Sequence, residues 1–374
     1  MAKRRFVIHV GMPHAGGAPV AAALGEHAAV LAEQGVRVPA RTAEEARRAS
    51  AELRRRHASY GWKRKEVEGS WALLAKRARK EGAKSGDTVV VSDELLAGAS
   101  TSEIALLLDS LGGFEVHVLA VLADPASQLV AGWGESVRRG STSSLKRYAR
   151  RVLDPDRRHE DAQRFWADHD VPASLARWGA ELRRPDRVHV VVPEPDQDPT
   201  EATWTALSRL LGVDASSVTV GACVPAATAD SDALALLREV NRAVDGRADL
   251  GQQGAIVEQH VLPRIASAQS VAPRLPAELD DDLAELAGTW ASAIAAGGYA
   301  LTGDTAALTP STTPATPPAA PDLGQRLESA TDTLADMVVE MARMRERVGE
   351  LEKQNAKLEK KKQKLRTRLA AVEA

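Results

Sequence analysis

Residues 6–24 read FVIHVGMPHAGGAPVAAAL. The stretch RFVIHV (5–10) is a short apolar run and predicts a strand. Gly11, Gly16 and Gly17 then punctuate a turn, and the Ala/Leu/Val-rich run Pro19–Gln34 predicts a helix. A strand, a glycine turn and a helix start together make an anion site from backbone amides and the helix dipole. The candidate contacts are Gly11, Pro13 and the amides of Ala15, Gly16, Gly17 and Ala18, with Pro19 suited to a first helical turn. A nucleotide-triphosphate loop needs G-x-x-x-x-G-K-[ST]. Gly11 and Gly16 fit that spacing, but Gly17 stands where the lysine belongs and Ala18 where the magnesium-binding hydroxyl belongs. Without that cation and that metal ligand, kinase or NTPase chemistry is excluded.

Further Val-rich runs repeat outward from this turn. TVVVS (88–92), FEVHVLAVL (114–122) and RVHVVVP (187–193) predict strands. Helical patterns follow them: DELLAGAS with TSEIALLLDSL, then 124–139, 143–153, 160–169, Glu201–Leu211 and most of 230–300. Near-continuous apolar strands alternating with helices predict an α/β fold, a P-loop-like parallel sheet covered by helices on both faces. The basic stretch 47–84 reads as the exposed side of a helical segment.

Composition narrows the function classes. The 374 residues carry 49 Lys+Arg against 51 Asp+Glu, a balance that makes a nucleic-acid partner unexpected. A hydrophobic share of 44% excludes wholesale disorder. One cysteine, Cys223, excludes a disulfide framework and a multi-thiolate metal site, and no metal is expected. No apolar run reaches the ~18 residues of a membrane helix. Met1 to Val10 is basic and then apolar, but the run is short and broken by His9, so it reads as a strand and a cytoplasmic protein is expected.

A linker divides the chain. Residues 305–322 are rich in Pro, Thr and Ala and cannot build a packed element, which sets a body at 1–304 and a tail at 323–374. In the tail Leu327, Leu334, Met341, Val348, Asn355, Lys362 and Leu369 occupy one heptad position. Ala330, Met337, Met344, Leu351, Leu358, Leu365 and Val372 occupy the other. This predicts a coiled coil over 327–372, about 70 Å long, with Asn355 as a register device favouring a parallel homodimer. A helix folded back on the body is the alternative. Residues 353–368 hold eight basic side chains against Glu359, which suits either an anionic partner or a solvated face.

The turn HVGMPHAGG resembles the GxPKTGTT signature of sulfotransferases, which bind the phosphosulfate donor PAPS. ADPASQLVAGWGESVRRG (123–140) is similar to the RDPxxQxxSxWQExxKxG segment of bacterial sulfotransferase-like proteins, and VVVSDELL (89–96) to their strand ending in Ser-x-Glu. Blocks at 164–195, 203–214, 236–247 and 289–304 continue the resemblance in order up to the linker.

The resemblance implies a PAPS/PAP cleft and a set of contacts that this chain lacks. His14 stands for the lysine that donates to the bridging oxygen. Neutral imidazole, the dominant form at pH 7, can still donate one hydrogen bond. Gly17 and Ala18 replace phosphate-binding hydroxyls, Ala123 the arginine of the 3′-phosphate, and Ala131 its serine. Charge-assisted bonds contribute roughly 1.5–3 kcal/mol each, so the expected cofactor affinity is weak. By the same resemblance Glu94 is the candidate base for an acceptor hydroxyl; the plainer reading is an acidic residue in a first helical turn, stabilised by the dipole. Arg138 and Arg139 are candidate substitutes for the missing arginine, or else an exposed helix end. His9, Trp133 and Trp166 read as core. Two functions are expected from different classes: a sulfotransferase-family protein with lost catalysis, acting as a dimeric binding or scaffold protein, or an active PAPS-dependent sulfotransferase on a glycan or other hydroxyl acceptor, with His14 as acid.

Overall fold

The computed structural model describes residues 4–82, 87–195, 197–221, 231–245, 247, 253–254, 256–265, 273–310 and 323–373. Strand β1 (Arg4–His9) leads into helices α1 (Gly17–Glu26) and α2 (Ala28–Glu33), strand β2 (Val36–Arg37), helices α3 (Ala43–Leu53) and α4 (Ser70–Glu81), and strand β3 (Thr88–Ser92). Helix α5 (Thr101–Ser110) and strand β4 (Phe114–Val121) follow, then α6 (Pro125–Arg138), α7 (Leu145–Val152), α8 (Glu160–His169) and α9 (Val171–Leu182). Strand β5 (Val188–Val191), α10 (Pro199–Leu211), α11 (Ser231–Val244), α12 (Asp280–Ala296), strand β6 (Ala300–Thr302) and α13 (Leu323–Glu373) complete the order.

The six strands form one sheet in the order β2-β3-β1-β4-β5-β6, and every recorded pairing is parallel. In β1, alternate residues face opposite ways, as the period of two requires. Phe6 and Ile8 join Val89, Val91 and Val118 under α3, α4, α5, α9 and α12. Val7 joins Val90, Leu119 and Val121 under α1, α2 and α10. Both faces are therefore covered, which is why the strands read as unbroken apolar runs rather than alternating ones. A third cluster packs α6, α7, α8 and α11 around Leu129, Trp133, Phe165 and Leu237.

Local chemistry explains where the elements depart from expectation. The helix expected over Pro19–Gln34 begins at Gly17 and breaks at His27. The stretch after β3 is a 3-10 turn (Glu94–Gly98), because the Asp93 side chain accepts from the Leu95 amide and Ser100 restarts the chain in a capping box with Glu103. Strands β2 and β6 were not anticipated; two and three residues are too short to show a period. The body runs past the boundary expected at 304, since Thr305–Leu308 forms a turn and Leu308 is buried in the core. Residues 311–322 of the expected linker, and Cys223, lie outside the described residues.

The basic stretch 47–84 is not simply an exposed helical side. Arg54 is 8% exposed and bonds Leu95 O and Asp168, and Arg47 is clamped on Asp93. The tail forms a single helix, α13. Thr333 is buried and the helix touches the segment Leu262–Ile265, while Leu327, Leu334, Met341 and Val348 remain exposed. No helix among the described residues is long and apolar enough to cross a membrane.

Candidate functional site

The turn after β1 is held by sheet hydrogen bonds. Val10 N–H and Gly11 N–H donate to Leu119 O, and Met12 N–H to Val121 O at 3.0 Å. Gly11, His14 and Gly16 take φ values of 52°, 68° and 85°. For His14 this is a left-handed conformation that most side chains avoid. Gly16 has no alternative, because a Cβ there would lie 2.5 Å from the Pro199 and Thr200 backbone at the start of α10. Thr203 Oγ1 donates to Ala15 O at 2.9 Å, so α10 roofs the turn.

Two of the amides expected to hold an anion, those of Ala15 and Gly17, have partners within the chain. Gly17 N–H donates to Glu94 Oε1 at 2.9 Å and His14 N–H to Glu94 Oε2 at 3.3 Å. Ala15 N–H donates to Met12 O at 3.1 Å. Ala15 itself is buried in the core cluster under α1 and Ala18 faces outward, so neither contributes a side chain to a site. Below the turn, His9 Nδ1 shares a hydrogen bond of 2.8 Å with Ser92 Oγ.

A cavity of about 180 Å³ opens beyond the C-terminal ends of β1 and β3, between the turn and helices α6 to α8. Pro13, His14, Glu94 and Arg139 line it, together with Arg47, Arg56, Tyr60, Glu135, Tyr148, Arg164, Asp168 and His169. Crevices at strand ends are where open parallel sheets bind ligands. The volume lies below the roughly 300–1,000 Å³ of pockets that enclose drug-sized molecules.

Its charges are matched in pairs. Arg47 Nε donates to both Asp93 oxygens at 3.0 and 2.8 Å. Arg56 pairs with Asp168 at 3.4 Å, Arg139 with Glu135, and Arg164 with Glu160. Arg138 is 5% exposed and also bonds Glu135, which corrects the expectation of an exposed helix end. Tyr60 lies between the guanidinium groups of Arg47 and Arg139, 5.5 and 5.6 Å from its ring centre.

The titrating groups follow from burial and these charges. Burial, opposed by Glu135 and aided by Arg138, His169 and Arg139, lowers His14 to about 3. Burial lowers His9 and His169 to about 4. All three imidazoles are thus neutral at pH 7. Burial alone pushes the Glu135 carboxyl up, but Arg138 and Arg139 outweigh it and hold it well below the usual carboxylate range. Burial raises the Glu94 carboxyl, against the pull of the Gly17 amide and Arg47. His14 stacks on His169 at 5.9 Å, and His169 on Phe165 at 4.3 Å, so the ring of His14 is held in place.

At position 123 the recorded contact is Gln128 Nε2 donating to Ala123 O at 3.2 Å, with Gln128 Oε1 turned to His169 Nδ1 at 3.1 Å. The structure thus brings His14, Glu94, Pro13 and Arg139 to one wall, with Arg138 just behind. Sequence reasoning missed Arg47, Tyr60, Glu135, Asp168 and His169. Glu135 was visible in the 123–140 block, three and four residues before the two arginines it pairs with. Among the described residues no group of three or more His, Cys, Asp or Glu side chains is placed to hold a metal ion.

Comparison with protein-family models, with curated proteins and with solved structures finds no match to this chain.

Proposed function

We propose that this chain is a sulfotransferase-family protein with a P-loop-like fold and lost catalysis, acting as a dimeric binding or scaffold protein. The observation that carries the reading is that each arginine on the cavity wall is engaged by the chain's own carboxylates: Arg47 by Asp93, Arg56 by Asp168, Arg139 by Glu135 and Arg164 by Glu160. A phosphosulfate nucleotide needs several cationic contacts, and each of these would have to be withdrawn from an acid first. His14 adds no charge at pH 7. Titration calorimetry of PAP into the full chain is expected to show no binding below millimolar concentration. Micromolar binding would overturn this reading.

That outcome would favour the second reading, an active PAPS-dependent sulfotransferase transferring the sulfuryl group to a glycan or other hydroxyl acceptor. One observation favours it: His14, Glu94 and Arg139 share one cavity wall, in the roles of hydrogen-bond donor, base and phosphate clamp.

We further infer that α13 pairs with its copy as a parallel coiled coil over 327–372. Leu327, Leu334, Met341, Val348, Leu351 and Leu358 are 44–67% exposed in the single chain, and together they form the seam such a dimer buries. Sedimentation should give a dimer for the full chain and a monomer for a chain ending at Thr309. Two monomers would refute the pairing. The basic end at 353–368 then presents doubled positive charge to an anionic partner.

A further inference from the structure

We propose that His117 on β4 and His189 on β5 form a divalent-metal site, a two-imidazole chelate for zinc or another nitrogen-preferring transition metal, oriented by Glu115 and completed by water. The pair is not part of the cavity and does not depend on how the cavity is read. Parallel pairing sets His189 opposite Leu119, two residues beyond His117, so both imidazoles stand on one face of the sheet. Helices α1, α2 and α10 cover that face over Val7, Leu119 and Val121. Nearer the N-terminal ends of the strands, Arg5, Glu115, His117 and His189 stay partly open to solvent. There His117 Nδ1 and His189 Nε2 face each other at 3.0 Å.

The spacing fits a metal ion. Imidazole nitrogens bind zinc at ~2.0–2.1 Å, so two of them at the tetrahedral angle stand about 3.3–3.4 Å apart, with ring centres about 5.2 Å apart. The ring centres here are already 5.3 Å apart. Ring tilt alone therefore opens the gap, and the strands need not move. Glu115 supplies the outer contact: its Oε1 accepts from His117 Nε2 at 3.2 Å, which fixes the tautomer whose Nδ1 lone pair points at His189. A carboxylate behind a ligating imidazole is the usual means of orienting a metal-binding histidine. Arg187 holds Glu115 in turn at 3.0 Å. Without an ion, His189 Nε2–H donates to His117 Nδ1. On binding, that proton passes through solvent to His189 Nδ1, so both rings stay neutral and no proton is lost overall. Burial first, and then the facing charges, lowers His189 to about 4, and burial lowers His117 as well, so neither ring has to shed a charge at pH 7. The charges facing the pair are Glu115 and Asp186, which favour an ion, and Arg5 and Arg187, which oppose it. These balance, and two protein ligands are fewer than a structural zinc site uses, so the ion is held with micromolar affinity and exchanges.

Zinc chloride is titrated calorimetrically at pH 7 into the full chain, stripped beforehand with a chelator, and the folding of each variant is checked by circular dichroism. Wild type is expected to bind zinc with micromolar affinity. His117→Gln and His189→Gln should each weaken binding at least tenfold, and Glu115→Gln about tenfold. His57→Gln, a control away from the pair, should stay within twofold of wild type. No binding below millimolar zinc in wild type overturns the proposal, as does affinity within twofold of wild type in any of the three folded variants at the pair. A second measurement needs no variant. Nitrogen-15 spectra of the wild-type imidazoles should show His189 exchanging its Nε2 proton for one on Nδ1 as zinc is added. An unchanged His189 tautomer at saturating zinc overturns the proposal.

Discussion

Between pH 7 and pH 5 the body is expected to lose at least roughly 6 kcal/mol of stability, about 2 from each of the imidazoles His9, His14 and His169, with His117 on β4 and His189 on β5 adding in the same direction. The folded pKa values of the first three, about 4, 3 and 4, lie below the ~6.5 of an unfolded histidine. The unfolded chain therefore binds more protons across this window. The stability they permit is full above about pH 6.5 and falls as pH drops toward 4. Glu94 acts in the opposite sense, because its raised pKa lets the folded state take up a proton, but it is one carboxyl against five imidazoles. A loss of this size is comparable with the whole stability of a typical domain, ~5–15 kcal/mol. Urea unfolding at pH 7, 6 and 5 should show an uptake of about three protons or more on unfolding near pH 5. A flat profile would mean that the imidazoles charge in place.

Replacing Glu135 by alanine is expected to cost about 1–3 kcal/mol, because a half-buried carboxylate is removed from the buried Arg138 guanidinium. Glu135 holds both Arg138 and Arg139, and Arg138 is only 5% exposed. Its depressed pKa reflects that double hold. Glu135→Gln should cost less, since the amide oxygen still accepts one hydrogen bond from Arg138. Denaturant midpoints at pH 7 measure both. A loss under ~1 kcal/mol for Glu135→Ala would mean that the two guanidinium groups reach solvent without their carboxylate.

The legible and the hidden parts of this chain divide along physical lines. Strands β1, β3, β4 and β5 could be read because burial on both faces writes them as unbroken Val, Ile and Leu. Strands β2 and β6 could not, since edge pairing of two or three residues leaves no pattern. His14 and Glu94 were singled out through the family resemblance, and they do meet. What could not be read was how they meet: a carboxylate 77 positions away takes the Gly17 amide assigned to an anion, and the His14 amide beside it. That contact depends on β3 lying beside β1, which is a fact of sheet order and not of local sequence. Arg47 and Arg54 read as solvent-facing because their acids, Asp93 and Asp168, come from elements distant in the chain.

The position of β1 in the sheet has a consequence during synthesis. It is the first strand made and lies third in the order β2-β3-β1-β4-β5-β6, so neither of its neighbours exists when it emerges. At about 5–20 residues per second, the ribosome needs roughly 6–22 s to travel from His9 to Val121 and complete β4. For that interval Phe6, Val7 and Ile8, all fully buried in the finished molecule, have no strand on both sides to shield them. The slow folding step is the long-range parallel pairing that brings β3 and β4 to the two edges of β1.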